Sequence, residues 1–105
     1  MKKYTVNVTR RALADMEAIY DYIAIHLQAP DAAMRQYNRI AAQIEGLSVF
    51  PERCKLFDSP REQKLGMRQI IIDNYSAVYV VRDNTVTVLR VLYSASDLTA
   101  RLWEE

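Results

Sequence analysis

One cysteine, one histidine, one tryptophan, two glycines and three prolines occur in 105 residues. Each scarcity removes a class of function. With Cys54 alone, no intrachain disulfide can form, and the composition reads as that of a reduced, cytoplasmic protein. With His26 and Cys54 far apart in sequence, neither Cys-x-x-Cys nor His-x-x-x-His spacing exists, so no metal site is expected. Gly46 and Gly66 cannot build a phosphate-cradling loop or a dinucleotide fingerprint, so no nucleotide cofactor is expected either. A serine–histidine–acid triad would have to use His26, and no nucleophile motif accompanies it. No run approaches the eighteen apolar residues of a membrane span, and Thr5, Asn7, Thr9 and Arg10-Arg11 interrupt any leader-like stretch. An excess of one charge is also missing: 14 Lys and Arg stand against 13 Asp and Glu. A protein that grips a nucleic-acid backbone usually needs many more cations than anions, so only a local patch could serve that purpose.

What is present is a globular composition, 50% hydrophobic and 26% charged, at a length suited to one domain over residues 1–105. Residues 3–8 alternate, with Tyr4, Val6 and Val8 on one side, as in a half-buried strand. Thr9 follows as an N-cap. Leu13, Met16, Tyr20, Ile23 and Leu27 then recur at helical spacing over 10–28, with Asp15, Glu17 and Asp21 opposite. Ala29-Pro30-Asp31 breaks this pattern, and Pro30 or Asp31 can open a second helix. Its stripe is Ala33, Tyr37, Ile40, Ile44 and Leu47, and Phe50-Pro51 ends it. Tyr20 and Tyr37 read as core. Residues 51–65 are polar and read as a surface connection. From there the period is two: 67–73, 75–82 and 85–92 are strands, separated by Asp73-Asn74 and Asp83-Asn84, each a two-residue hairpin signal. Ser96 or Asp97 can cap a last helix of 97–103. The expected fold is α+β in the order β-α-α-β-β-β-α, a helical hairpin packed on an antiparallel sheet.

Chemistry is sparse. Arg68 opens the first strand of the meander, Arg90 lies on the third, and Tyr93 and Asp97 follow, with Tyr75 at the start of the middle strand. If these met on one face, the arginines could hold a phosphate and Tyr93 could relay a proton. The plainer reading is a set of polar residues on a sheet surface. The apolar residues Leu92, Leu98, Leu102 and Trp103 could receive an amphipathic helix or strand from a partner, or could simply dock the last helix.

Several segments resemble one family. Tyr4-x-Val6-x-Val8-Thr9-x-x-Ala12 with Asp15-Met16-x-x-Ile19-x-x-Tyr22-Ile23 is similar to the first strand and helix of the RelE/ParE superfamily of bacterial toxins, also called plasmid stabilisation proteins. Ile44-x-x-Leu47-x-x-Phe50-Pro51 resembles its second helix and stop. Leu65-Gly66-Met67-Arg68 and Asn74-Tyr75-x-x-x-Tyr79-x-Val81 resemble its sheet, and Arg90-Val91-Leu92-Tyr93 with Asp97-Leu98 its C-terminal signature. The resemblance implies the toxin of a type II toxin–antitoxin pair, with a cognate antitoxin that wraps around it. RelE-like members cut messenger RNA in the ribosome with a basic cluster and a tyrosine or histidine; ParE-like members inhibit DNA gyrase and lack that cluster. Here Ser76 follows Tyr75 where an arginine is usual, Ser94-Ala95-Ser96 replaces a basic run, and Ala100 falls near a late catalytic tyrosine. The expectation is therefore a ParE-like gyrase inhibitor. The alternatives are a ribosome-dependent endoribonuclease using Arg68, Arg90 and Tyr93, and a non-toxic interaction module.

Overall fold

A computed structural model describes residues 2–104. The chain forms β1 (Thr5–Val8), α1 (Arg10–Asp21), α2 (Pro30–Glu45), α3 (Pro60–Lys64), β2 (Arg68–Ile72), β3 (Tyr75–Arg82), β4 (Thr85–Tyr93) and α4 (Leu98–Leu102). The expected order holds, with α3 added inside the segment expected to be a surface connection. No helix is long and apolar enough to cross a membrane among these residues.

Local chemistry sets most boundaries. Thr9 caps α1, its Oγ1 accepting the Ala12 amide at 3.1 Å. Pro30 opens α2 at its first position, with Asp31 in the positive first turn. Asp73 and Asp83 take the left-handed backbone that their hairpins require, φ 56° and 54°. Asp97 caps α4 by accepting the Ala100 amide at 3.1 Å.

The sheet order is β1-β4-β3-β2. β2, β3 and β4 form the expected antiparallel meander, but β1 joins β4 in parallel, so the sheet is mixed. The last strand of a meander leaves one edge open, and β1 closes it as far as Val88. Both helices of the hairpin lie on one face, over a core that includes Met16, Ile40, Ile44, Leu47, Ile70, Ile72, Tyr79, Val86, Val88 and Val91.

The α2 stripe buries Ala33, Ile40, Ile44 and Leu47 as the spacing predicts. The α1 stripe holds in part: Met16 is buried and Tyr20 and Ile23 are half-buried, but Leu13 and Leu27 are exposed, and Ala12, with Ile19 packed beside it, joins the contact face instead. Two causes act. Ala12 lets α1 approach the sheet closely, which turns the contact face. Beyond Asp21 the helix widens into a π-turn over Tyr22–His26, which rotates later residues away from the stripe.

A bulge lies between Val78 and Tyr79: Val78 pairs with Arg90, and Tyr79 pairs with Val88, leaving Leu89 as the extra residue. Side chains alternate with period two, so one extra residue exchanges the faces of everything after it. Val86 and Val88 face the helices, and so does Val91. Arg90 and Leu92 therefore point to the opposite face, where Phe57, Met67, Val78, Leu89, Leu98 and Leu102 form a second cluster beneath α4.

Candidate functional site

Arg68, Arg90 and Tyr93 are not gathered at one place. Arg68 is half-buried at the start of β2; its Nη1 donates to the carbonyls of Glu52 at 3.2 Å and Cys54, and its Nη2 lies 3.9 Å from the Glu52 carboxylate. Arg90 is buried. It donates from Nε and Nη2 to the two carboxylate oxygens of Asp15 at 2.8 and 3.0 Å, and from Nη1 to the Arg101 carbonyl at 2.8 Å. Asp15 also accepts the Val91 amide at 2.9 Å. Its hydrogen bond is the main reason that the Arg90 pKa is raised above the ordinary guanidinium value. Asp15, expected on the solvent face of α1, thus closes the edge of β4 just past the end of β1. Tyr93 is 53% exposed. The register sets Arg68 opposite Tyr79 and Tyr93 opposite Tyr75, four residues apart on β3 or about 13 Å.

Tyr93 instead belongs to a cleft of about 570 Å³ between the end of α1, the ends of β3 and β4, and α4. Ala18, Ile19, Val91 and Leu92 line it with Tyr22, Tyr75 and Tyr93, and Asp15 and Arg101 are its charged members. Tyr75 and Tyr93 meet edge-to-face with ring centroids 6.0 Å apart. Tyr22 enters from the π-turn and stacks on His26 at 5.5 Å. Burial, and then the neighbouring Tyr93 and Tyr22, push the Tyr75 hydroxyl above its usual pKa. Tyr75 therefore stays protonated. A phenol shifted this way is a poor base, so the cleft suits recognition of an apolar or aromatic side chain better than proton abstraction. Among the described residues no group of three or more histidine, cysteine or acidic residues could hold a metal ion.

The residues expected at a partner surface divide. Leu92 is buried, and Leu98 and Leu102 pack α4 onto the outer cluster. Trp103 is 45% exposed and does dock the helix: its Nε1 donates to Glu62 Oε2 at 2.7 Å, and the Arg61 guanidinium lies 3.9 Å above its ring. Glu62, in the segment expected to be solvated, is 2% exposed. The neighbouring Ser59 hydroxyl and then the hydrogen bond from Trp103 hold its carboxyl at about 2, against an ordinary 4.5. A depressed carboxylate contributes stability above its unfolded pKa and loses it as pH falls toward its folded one. The docking of α4 is therefore expected to weaken between about pH 4.5 and 2. Trp103 is the only tryptophan, so its emission reports this directly. Glu62→Gln should abolish the acid limb of that fluorescence curve; an unchanged limb would assign it elsewhere. Glu62 lies in no motif, and Asp15 and Tyr22 fall in the segment that resembles the family's first helix without that segment marking a role for either. A trace of the part played by Asp15 is the broken alternation of Val88-Leu89-Arg90-Val91 on the strand it meets.

Comparison with known proteins agrees with this architecture. The chain is 32% identical over 87 residues to Toxin RelE2 of Caulobacter vibrioides, covering 83% of this chain and 91% of that protein. Its fold matches a solved structure titled as the chromosomal ParDE toxin–antitoxin system of P. aeruginosa, with TM-score 0.73, 24% identity and coverage of 89% and 98% of the two chains. It also matches a chain of the RelBE2 toxin–antitoxin complex from Mycobacterium tuberculosis, with TM-score 0.62, 23% identity and coverage of 91% and 97%. Residues 6–98 match the family described as the ParE toxin of the type II toxin–antitoxin system parDE. The chain, a helical hairpin over a four-stranded sheet with its late arginine locked into an ion pair, belongs to the ParE toxin family of the RelE/ParE superfamily.

Proposed function

We propose that this toxin acts by binding rather than by cutting RNA: it inhibits DNA gyrase and is silenced by a cognate antitoxin. One observation carries the reading. The residues that a nuclease would need are dispersed, with Arg90 neutralised by Asp15, Arg68 turned onto main-chain carbonyls and Tyr93 about 13 Å along the sheet from Arg68. Positioned acid–base groups supply about two to four orders of magnitude in rate, and a scattered set supplies little of it. The even charge of the chain supports the same reading. The antitoxin is expected to place an apolar side chain in the tyrosine cleft beside Tyr93 and to run over the exposed edge of Trp103, while Leu92, Leu98 and Leu102 hold α4 in place for it. Gyrase works in the cytoplasm, which suits a chain with a single free cysteine.

The test runs two assays in parallel on the purified toxin. Gyrase supercoiling should fall and cleavage complexes should accumulate, while primer extension on translated mRNA should show no new cuts. Intact supercoiling together with ribosome-dependent cuts that an Arg68→Ala variant loses would replace this reading with the endoribonuclease. Intact supercoiling, no cuts and normal growth on strong expression would leave an interaction module without toxicity.

A further inference from the structure

Phe50 sits in the left-handed backbone region, φ 49° and ψ 53°, and its side chain is 66% exposed. Bulky residues rarely occupy that region, because the Cβ crowds the following carbonyl. Three features bear on it. Pro51 disfavours the right-handed helical region for the residue before it. Arg53 Nη1 donates to the carbonyls of Val49 at 2.7 Å and Phe50 at 3.0 Å. The buried Tyr79 hydroxyl donates to the Pro51 carbonyl at 2.6 Å. All three act on the main chain. None uses the ring, and glycine or asparagine would meet the same backbone demand with less strain. The fold thus bears the strain of a phenylalanine and gains little packing from it. Strain kept at an exposed position points to a use outside the fold.

The surroundings state the chemistry of that use. Phe50 borders a hollow of about 500 Å³ with Lys2, Tyr4, Pro51, Glu52 and Arg53. Lys2 lies over the Tyr4 ring, 4.9 Å from its centroid. Lys2 and Arg53 are exposed. The one carboxylate here, Glu52, leans toward Arg68. A protruding ring with cations around it is the form of an interface anchor.

We propose that Phe50 is the anchor of a second protein-docking surface, separate from the tyrosine cleft, whose partner presents an apolar socket or side chain flanked by carboxylates. Charge complementarity fixes the class of partner: the patch carries two cations, Lys2 and Arg53, against one anion that already leans on Arg68. A protruding knob also fits a protein socket better than a flat stacking platform for bases.

The test uses the whole folded chain. A phage-displayed library of random peptides is selected on the wild-type chain and counter-selected on Phe50→Gly. Survivors should be acidic sequences around an aromatic or aliphatic residue. A labelled survivor should bind Phe50→Gly about 30-fold more weakly. It should also lose affinity on Lys2→Glu and at raised salt. Phe50→Gly should melt no lower than wild type; a lower Tm would make the ring a packing residue and overturn the proposal. So would the absence of Phe50-dependent acidic peptides. Phe50-dependent binding of oligothymidylate, of phosphatidylserine vesicles, or of a second copy of the chain by sedimentation would overturn it in favour of nucleic acid, lipid or self-association. Gyrase and growth enter none of these measurements, so their outcome is independent of the target proposed above.

Discussion

Replacing Asp15 with alanine should cost about 3–5 kcal/mol of folding free energy, the usual loss when one member of a buried ion pair is removed and the other stays. The side chains of Arg90 and Asp15 are only 7% and 15% exposed. Asp15 answers three donors, Nε and Nη2 of Arg90 and the Val91 amide. Its loss would leave a buried guanidinium held only by the Arg101 carbonyl and an amide on the open edge of β4 with no acceptor. Domains of this size have roughly 5–15 kcal/mol in total, so a large share would go. Urea unfolding should show a much lower midpoint with little change in slope. The double replacement Asp15→Leu with Arg90→Leu should recover part of the loss, because it buries no charge. A cost below about 1 kcal/mol for Asp15→Ala, the range of exposed pairs, would show that the pair is solvated rather than structural.

Tyr79→Ala is expected to be similarly severe, about 3–5 kcal/mol, from lost aromatic burial and the cavity left behind. Tyr79 is fully buried in the middle of β3. Tyr79→Phe separates the hydroxyl from the ring: it strands the Pro51 carbonyl and should cost about 1–3 kcal/mol. Because that carbonyl anchors the turn at Phe50, the Phe variant should also loosen residues 50–53 in hydrogen exchange while the sheet stays protected. Burial raises the Tyr79 pKa above its ordinary 10.0, with the Cys54 contact as a second cause. The unfolded chain therefore ionises first. Stability present below about pH 10 should decline as pH rises past it, and Tyr79→Phe should flatten that decline. An alanine variant as stable as wild type would remove Tyr79 from the core that the packing assigns it.

Elements with a strong local signal were legible in the chain itself. The caps at Thr9 and Asp97 and the helix-opening Pro30 act within a few residues, and so do the hairpins at Asp73 and Asp83; each lies where its residue types place it. The α2 stripe was legible because one continuous face meets one partner. The α1 stripe was legible only at Met16, Tyr20 and Ile23, because helical spacing gives a face only to within a rotation. Ala12 and the π-turn decided that rotation. The 51–65 segment looked solvated because its composition is polar. Glu62 and Phe57 are buried there through contacts with Trp103 and Met67, far away in sequence or across a turn. Of the site, Tyr75 and Tyr93 were visible together at the ends of strands that a meander sets side by side, but Tyr22 reaches the cleft from the π-turn.

The sequence alone determined the class of fold, the order of its elements and the absence of metal-binding or phosphate-loop motifs, because those depend on residue types and on short-range spacing. Only the tertiary structure decided what the arginines do. The bulge at Leu89 turned Arg90 to the outer face, and the short β1 left an edge where Asp15 could reach it. A register shift of one residue changes the face of every side chain beyond it, and composition carries no record of that shift.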